Sequence, residues 1–207
     1  MTRAWPVPAL AACLALFGCP SREMYLRQAD VPWETEAIAG VRIPAFDAEP
    51  AAWTLAERAR LRVAEALGRG TVAVTDGVAR ASLDGAIIGY AEVVSPQAPR
   101  RVVKSGGGLT NAYAWEMDVS YTVQFGVAIR LMVDGHALWS RDNFASADET
   151  STVAMAWPGS DPLPPPPAMP GPPDPRTFQR LRDQALDRAL EPLLDALVSR
   201  FEYRTVW

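Results

Sequence analysis

From Trp115 to Gly135 the chain reads WEMDVSYTVQFGVAIRLMVDG, and every odd position up to Val133 is apolar. Trp115, Met117, Val119, Tyr121, Val123, Phe125, Val127, Ile129, Leu131 and Val133 form one row; Glu116, Asp118, Ser120, Thr122, Gln124 and Arg130 stand among the residues between them. A period of two with one apolar side means a strand whose sheet has one face on a core and one in water. At about 3.3 Å per residue, Ala114 to Val133 would span about 65 Å, where typical strands have about five or six residues. A core of this size does not cover such a strand from end to end. One end should bend over or project, and Gly126 is the natural bend.

Asp134-Gly135 closes that strand with a strong two-residue hairpin signal. Direct pairing across it sets Leu131 opposite Leu138 and Phe125 opposite Phe144 on the apolar side. The same register sets Arg130 against Trp139 on the other side, a cation–π geometry. It also turns Asp142 toward the core, and a bulge between Trp139 and Phe144 is expected to relieve that conflict.

Upstream, VRIPAF (Val41–Phe46) alternates as a short strand, with Pro44 pointing to an edge or a bulge. TLAERARLRVAEALGRG follows as an amphipathic helix. Thr54 and Glu57 have capping-box spacing, Leu55, Ala56, Ala59, Val63, Ala66 and Leu67 share one side, and Gly68 or Gly70 stops it. TVAVT (Thr71–Thr75) reads as a short strand. VARASLDGAIIGYAEVVS sets Ala81, Leu83, Gly85, Ile87, Gly89, Ala91 and Val93 on one face, the glycines leaving room for a close neighbour, expected to be a helix. The loop after Ser95 returns the chain, so this strand and the long one are antiparallel neighbours joined by a distal, flexible loop.

Residues 157–175 hold 10 of the chain's 19 prolines and read as an extended, solvated insert. The closing segment Arg176–Phe201 is helical, with its apolar stripe shifted by one residue at Pro192. YRTVW is suited to a last edge strand. These elements predict an α+β domain, two amphipathic helices on one face of a mixed, roughly four-stranded sheet in the order β-α-β-β-β-α.

Little in the sequence carries catalytic chemistry. His136 is the single histidine, and the cysteines are Cys13 and Cys19. No triad or zinc set can be assembled from them, so neither an enzyme nor a metal or organic cofactor is expected. Asp84, Glu116, Asp118 and Asp142 are spread along strands and do not cluster by spacing. KSGGGLTN (Lys104–Asn111) has its lysine before the glycines and no helix after them, which is not a phosphate-binding loop. A net charge of −4 without a clustered basic surface argues against nucleic acid. Arg100, Arg101 and Lys104 do concentrate positive charge in the distal loop, and they are the candidates for contacting phosphate groups of lipid or lipopolysaccharide.

The N-terminus sets the compartment. Arg3 precedes an apolar run of 15 residues, Ala4 to Gly18, short for a membrane span and suited to a signal sequence. LFGC (Leu16, Phe17, Gly18, Cys19) resembles the bacterial lipobox, which implies a signal over residues 1–18, cleavage before Cys19 and lipidation of that cysteine. Residues 19–40 then read as a lipidated tether and 41–207 as one domain. Pro20 is not the aspartate associated with inner-membrane retention.

Together, the lipobox, VRIPAF, TLAERARLRVAEAL, ARASLDGAIIGY, the long alternating strand ending in LMVDGHALWSRDNFASADE, and the closing helix resemble the lipopolysaccharide-assembly lipoprotein (LptE) family, over roughly Val41 to Phe201. The resemblance implies a small sandwich anchored on the periplasmic face of the outer membrane. The partner it implies is the lipopolysaccharide-translocating β-barrel, whose lumen the lipoprotein plugs. The long strand's far end and the loop after Ser95 would project into that barrel. The competing expectation is a lipoprotein subunit of a ring-forming secretion channel, which should self-associate where a barrel plug should not.

Overall fold

The strand read from Trp115 onward is formed, and everything else is arranged on it. The computed structural model describes residues 21–26, 38–104, 112–157 and 174–206. Nine strands and helices are described here in chain order: β1 Ser21–Leu26, β2 Val41–Arg42, α1 Trp53–Arg69, β3 Ala81–Pro96, β4 Arg100–Lys104, β5 Ala112–Val133, β6 His136–Trp157, α2 Pro175–Val198 and β7 Phe201–Val206. β5 and β6 each run 22 residues, about 70 Å at 3.3 Å per residue. Asp134 and Gly135 join them with φ of 49° and 81°, the mirror-image turn whose twist suits a two-residue hairpin.

β5 is central. β6 pairs with it along one side; β3 and β4 share the other, β3 against Val119 to Val133 and β4 against Ala112 to Glu116, all antiparallel. β2 adds to β3 in parallel, so the sheet is mixed and five-stranded. The odd residues of β5 lie under the helices. Val119, Val123, Val127 and Ile129 have no exposed surface, and Phe125 keeps 1%. α1 buries Leu55, Ala56, Ala59, Val63 and Leu67, and α2 buries Leu181, Ala185, Leu186, Ala189, Leu190, Leu193 and Leu197. The class is α+β, with both helices on one face. The two helices run parallel: Arg58 meets Asp183, Arg62 meets Asp187, and Gly70 adjoins Val198.

Two irregularities decide which side chains reach that face. In β3 the register slips between Ile88 and Ala91, where Gly89 takes φ of 62°, a left-handed conformation open to glycine at little cost. The bulge turns Tyr90 inward onto Phe125, at 6.3 Å between ring centroids, and moves Ala91 and Val93 off the expected face. In β6 the slip sits at Leu138, beside the turn, earlier than the sequence pattern predicts. Trp139 therefore pairs with Leu131 and is buried, Arg130 faces Ser140, and Phe144 lies on the open face opposite Gly126, 61% exposed. The expected Arg130–Trp139 stack and the Phe125–Phe144 pair are thus not formed. Asp142 is released to water, so the conflict is relieved by a bulge at Leu138, one residue nearer the turn than the expected span from Trp139 to Phe144.

Other expectations are corrected by local chemistry. Pro44 ends β2 after Arg42, and the chain rejoins the sheet only at Asp47, which bridges Ala86. Thr71–Thr75 contributes a single bridge, Val41 to Val74, rather than a strand. α1 begins at Trp53 after a short 3-10 turn, Pro50–Ala52, so Thr54 is inside the helix and caps nothing; Glu57 instead takes the Arg60 guanidinium at 2.6 and 2.8 Å. The space over Gly85 is filled by the Phe46 ring and not by a helix.

The stretch read as tether supplies β1, whose Met24, Tyr25 and Leu26 are buried. β1 pairs antiparallel with β7, Ser21 opposite Val206, in a separate two-stranded sheet. The C-terminal strand is thus present with β1 as its partner. Of the proline-rich insert, residues 158–173 lie outside the described residues; Asp174 caps α2 by accepting from the Arg176 amide at 3.0 Å, and Pro175 opens the helix.

α2 passes through Pro192 without interruption. A proline there cannot donate to the carbonyl of Arg188. Asn143, brought to the helix side by the Leu138 slip, fills the gap: its Nδ2 donates to Arg188 O at 3.3 Å and to Ala189 O at 3.1 Å. Arg188 returns the contact with a 2.6 Å bond from Nη1 to the Ser146 carbonyl.

Candidate functional site

The loop that carries Arg100, Arg101 and Lys104 is not simply flexible. Arg100–Lys104 is strand β4, and its register with β5 puts Arg100 opposite Glu116, Arg101 opposite Trp115 and Lys104 opposite Ala112. Because strand residues alternate sides, Arg100 and Arg101 point to opposite faces. The side chain of Lys104 and residues 105–111 lie outside the described residues. The structure therefore does not gather the two arginines into one patch.

Arg100 faces the open side and is matched by carboxylates. Its Nη1 is 2.7 Å from Asp118 Oδ2 and its Nη2 3.6 Å from Glu116 Oε2. Asp118 also accepts from the Thr152 hydroxyl at 2.7 Å, and Ser120 and Thr150 share a hydrogen bond of 3.0 Å one row further along. Arg100, then Thr152, holds the Asp118 carboxyl below its ordinary value, and Asp118 raises the Arg100 guanidinium above its own. Such an aspartate stays ionised and is unsuited to giving up a proton as a general acid. Glu116 and Asp118, which sequence spacing left apart, are brought together here, as a clamp on one arginine.

A second polar cluster lies under α2. The β3 bulge carries Tyr90 and Glu92 to the helix side, where Arg182 Nε donates to Tyr90 Oη at 2.9 Å and to Glu92 Oε1 at 2.6 Å, while the tyrosine hydroxyl also donates to Glu92. Burial first, and the neighbouring carboxylate second, raise the Tyr90 hydroxyl above its ordinary value. This cluster fastens α2 to β3. Without foreknowledge of a glycine bulge no spacing rule would find it; the single hint is Gly89 within an otherwise regular alternation.

His136 follows the hairpin turn and is exposed. Beside it Arg80 grips Asp134 through 3.1 and 2.6 Å bonds, lowering the aspartate from its ordinary value. Among the described residues no three His, Cys, Asp or Glu side chains gather as metal ligands. Cys19 lies outside the described residues, and no described helix is long and apolar enough to cross a membrane. An open groove of about 750 Å³ runs between the second halves of the helices, floored by Ala66, Leu190 and Leu194 and walled by Arg69, Glu191 and Asp195.

No family model matches the sequence, and no curated protein matches it. Solved structures similar to this chain include a minor lipoprotein from Acinetobacter baumannii, at 9% identity and a TM-score of 0.30, over 79% of this chain and 97% of that one. The PelC dodecamer from Paraburkholderia phytofirmans is similar at 17% identity and a TM-score of 0.33, over 83% and 97%. A neuraminyllactose-binding hemagglutinin homolog from Helicobacter pylori is similar at 10% identity and a TM-score of 0.41, over 77% and 86%. Likenesses at these TM-scores fix neither fold nor function.

Proposed function

We propose that this chain is an outer-membrane lipoprotein, anchored through Cys19 on the periplasmic face, that plugs the lipopolysaccharide-translocating β-barrel and assists its assembly. The observation that supports the reading best is the disproportion between hairpin and roof. β5 and β6 extend about 70 Å, while α2, 24 residues long, covers about 36 Å. Phe178, in the first turn of α2, meets Tyr121 edge-on at 5.9 Å, so the β5 rows before Tyr121 and the β4 strand beside them lie past the start of that helix. A sheet with one sealed face and a far end reaching beyond its helices has the form of a protein that inserts one end into a companion.

Within this reading, lipopolysaccharide phosphates would meet Arg100, Arg101 and Lys104 at the far end. Arg100 would have to exchange Asp118 and Glu116 for the ligand. The test is capture of the tagged protein from detergent-solubilised outer membranes and identification of the integral barrel that accompanies it. Recovery of a large homo-oligomer alone would favour the ring-forming secretion subunit. Cys19→Ala should release the protein from membranes, and continued retention would remove the lipid anchor from the reading.

A further inference from the structure

Hydrogen bonds on both sides of the sheet give the direction of every backbone group in β6. Asp47 N donates to Gly85 O and Ile87 N to Asp47 O, each at 2.8 Å, so odd residues in this part of β3 face away from β5 and even ones face it. The pairings Ala86↔Ala128 and Ala128↔Asp142 carry this parity across the sheet. Odd residues of β6 bond to β5, and even residues from Ser140 onward turn N–H and C=O outward. The 2.6 Å bond from Arg188 to the Ser146 carbonyl agrees with that direction.

Among the described residues, Arg188 is the one group that bonds this outward row. Proteins ordinarily blunt such an edge with proline, a mid-strand bulge or charged side chains, lysine above all, and of these β6 has only the charges of Arg141, Asp142, Asp148 and Glu149. β6 has no proline and no lysine, and its slip lies at Leu138, before the row begins. Apart from the Ser146 carbonyl, the row is a set of unpaired donors and acceptors, which is complementary to another extended backbone. Beside the row, on the open face, Asp142 and Asp148 are exposed and form no ion pair among the described residues.

We propose that the outer edge of β6, from Asp142 to Thr152, accepts an added strand from a partner polypeptide that carries basic side chains opposite Asp142 and Asp148. Charge favours such a partner over a second copy. Pairing two copies symmetrically about Ala145 would set Asp142 of each against Asp148 of the other, like charges directly opposite. This extends the reading above by naming how a partner is gripped, and it rests on that reading for the partner's class.

The probe is a short alternating valine–threonine peptide with lysines six positions apart, the separation of Asp142 and Asp148, and the same peptide with glutamates. Added to the full chain in detergent, the lysine peptide should slow hydrogen exchange at the Asp148, Thr150 and Thr152 amides and bind at least about tenfold more tightly than its glutamate twin. Asp142→Lys with Asp148→Lys should reverse the preference. Asp148→Pro removes an outward donor without touching the ladder to β5, so it should abolish peptide binding and leave the thermal melt in place. Equal protection by both peptides, protection elsewhere, or a homo-oligomer whose β6 amides are already protected would each overturn the proposal. Barrel capture separates the two readings: Asp148→Pro that loses the peptide yet keeps the barrel overturns the edge as the docking site. Wild type that binds the peptide and captures no barrel overturns the barrel reading alone.

Discussion

Along β3, Asp47 closes the edge with bonds to Gly85 and Ile87, the Phe46 ring seats on Gly85, and Trp53 reaches back to the Ala48 carbonyl. Along β6, the outward groups beyond Trp139 meet Arg188 alone among the described residues. Both strands flank the same central β5, and both are long. The difference is that the first edge is sealed by a segment with its own buried anchors, Ile43 and Phe46, each 7% exposed. The second carries acids and hydroxyls suited to water. Closing an edge takes apolar side chains as well as backbone, and the sequence before α1 supplies them.

Proline scanning of β6 should separate its two kinds of backbone position most sharply. Ala145→Pro removes a donor in the ladder to β5 and should cost about 3 kcal/mol or more, whereas Asp148→Pro should cost less than about 1 kcal/mol by denaturant melts. Equal costs would mean the outward row is bonded after all. On the sealed side, Gly85→Val would drive a side chain into the Phe46 ring, and overpacking of this kind should destabilise by about 1–3 kcal/mol and raise exchange at the Asp47 amide.

Next in size is the brace between β6 and α2. Asn143→Ala strips partners from the Arg188 and Ala189 carbonyls and should cost about 1–2 kcal/mol. In a Pro192→Ala background the helix regains its own donor at that point, so the cost of Asn143→Ala should shrink; a double-mutant cycle with no coupling would refute the brace. The smallest effect concerns pH. Because Asp118 is lowered in the folded protein, its contribution is present above the ordinary value of 3.8 and is lost as pH falls through the lower folded value. Asp118→Asn should lower the melting temperature slightly near neutrality, and the difference from wild type should vanish as pH falls through that acid range.

The covered face was legible because period-two alternation holds through β5 from Met117 to Val133. The hairpin turn was legible because Asp-Gly has few other uses. Registers were not, since one residue's slip exchanges the faces of an entire strand. Gly89 in β3 and Leu138 in β6 each do this, and with them go the positions of Tyr90, Trp139, Asn143 and Phe144. Of the candidate site, the residues of β4 were identified, but not that Arg100 and Arg101 part to opposite faces. Strand β4 itself was missed because Arg-Arg beside glycines and prolines reads as loop until β5 offers it a partner. β1 was missed for the same reason: its pairing partner β7 lies at the other end of the chain.

That last pairing has a kinetic meaning. Ser21 lies opposite Val206, so beyond a single bridge from Met24 to Ile38 β1 gains its ladder only once β7 has been made. Until then Met24 and Leu26 lack their full cover, and contacts of such sequence separation are slow to close. A nascent chain stalled before Phe201 would hold β1 by that one bridge, its apolar side chains still short of their cover.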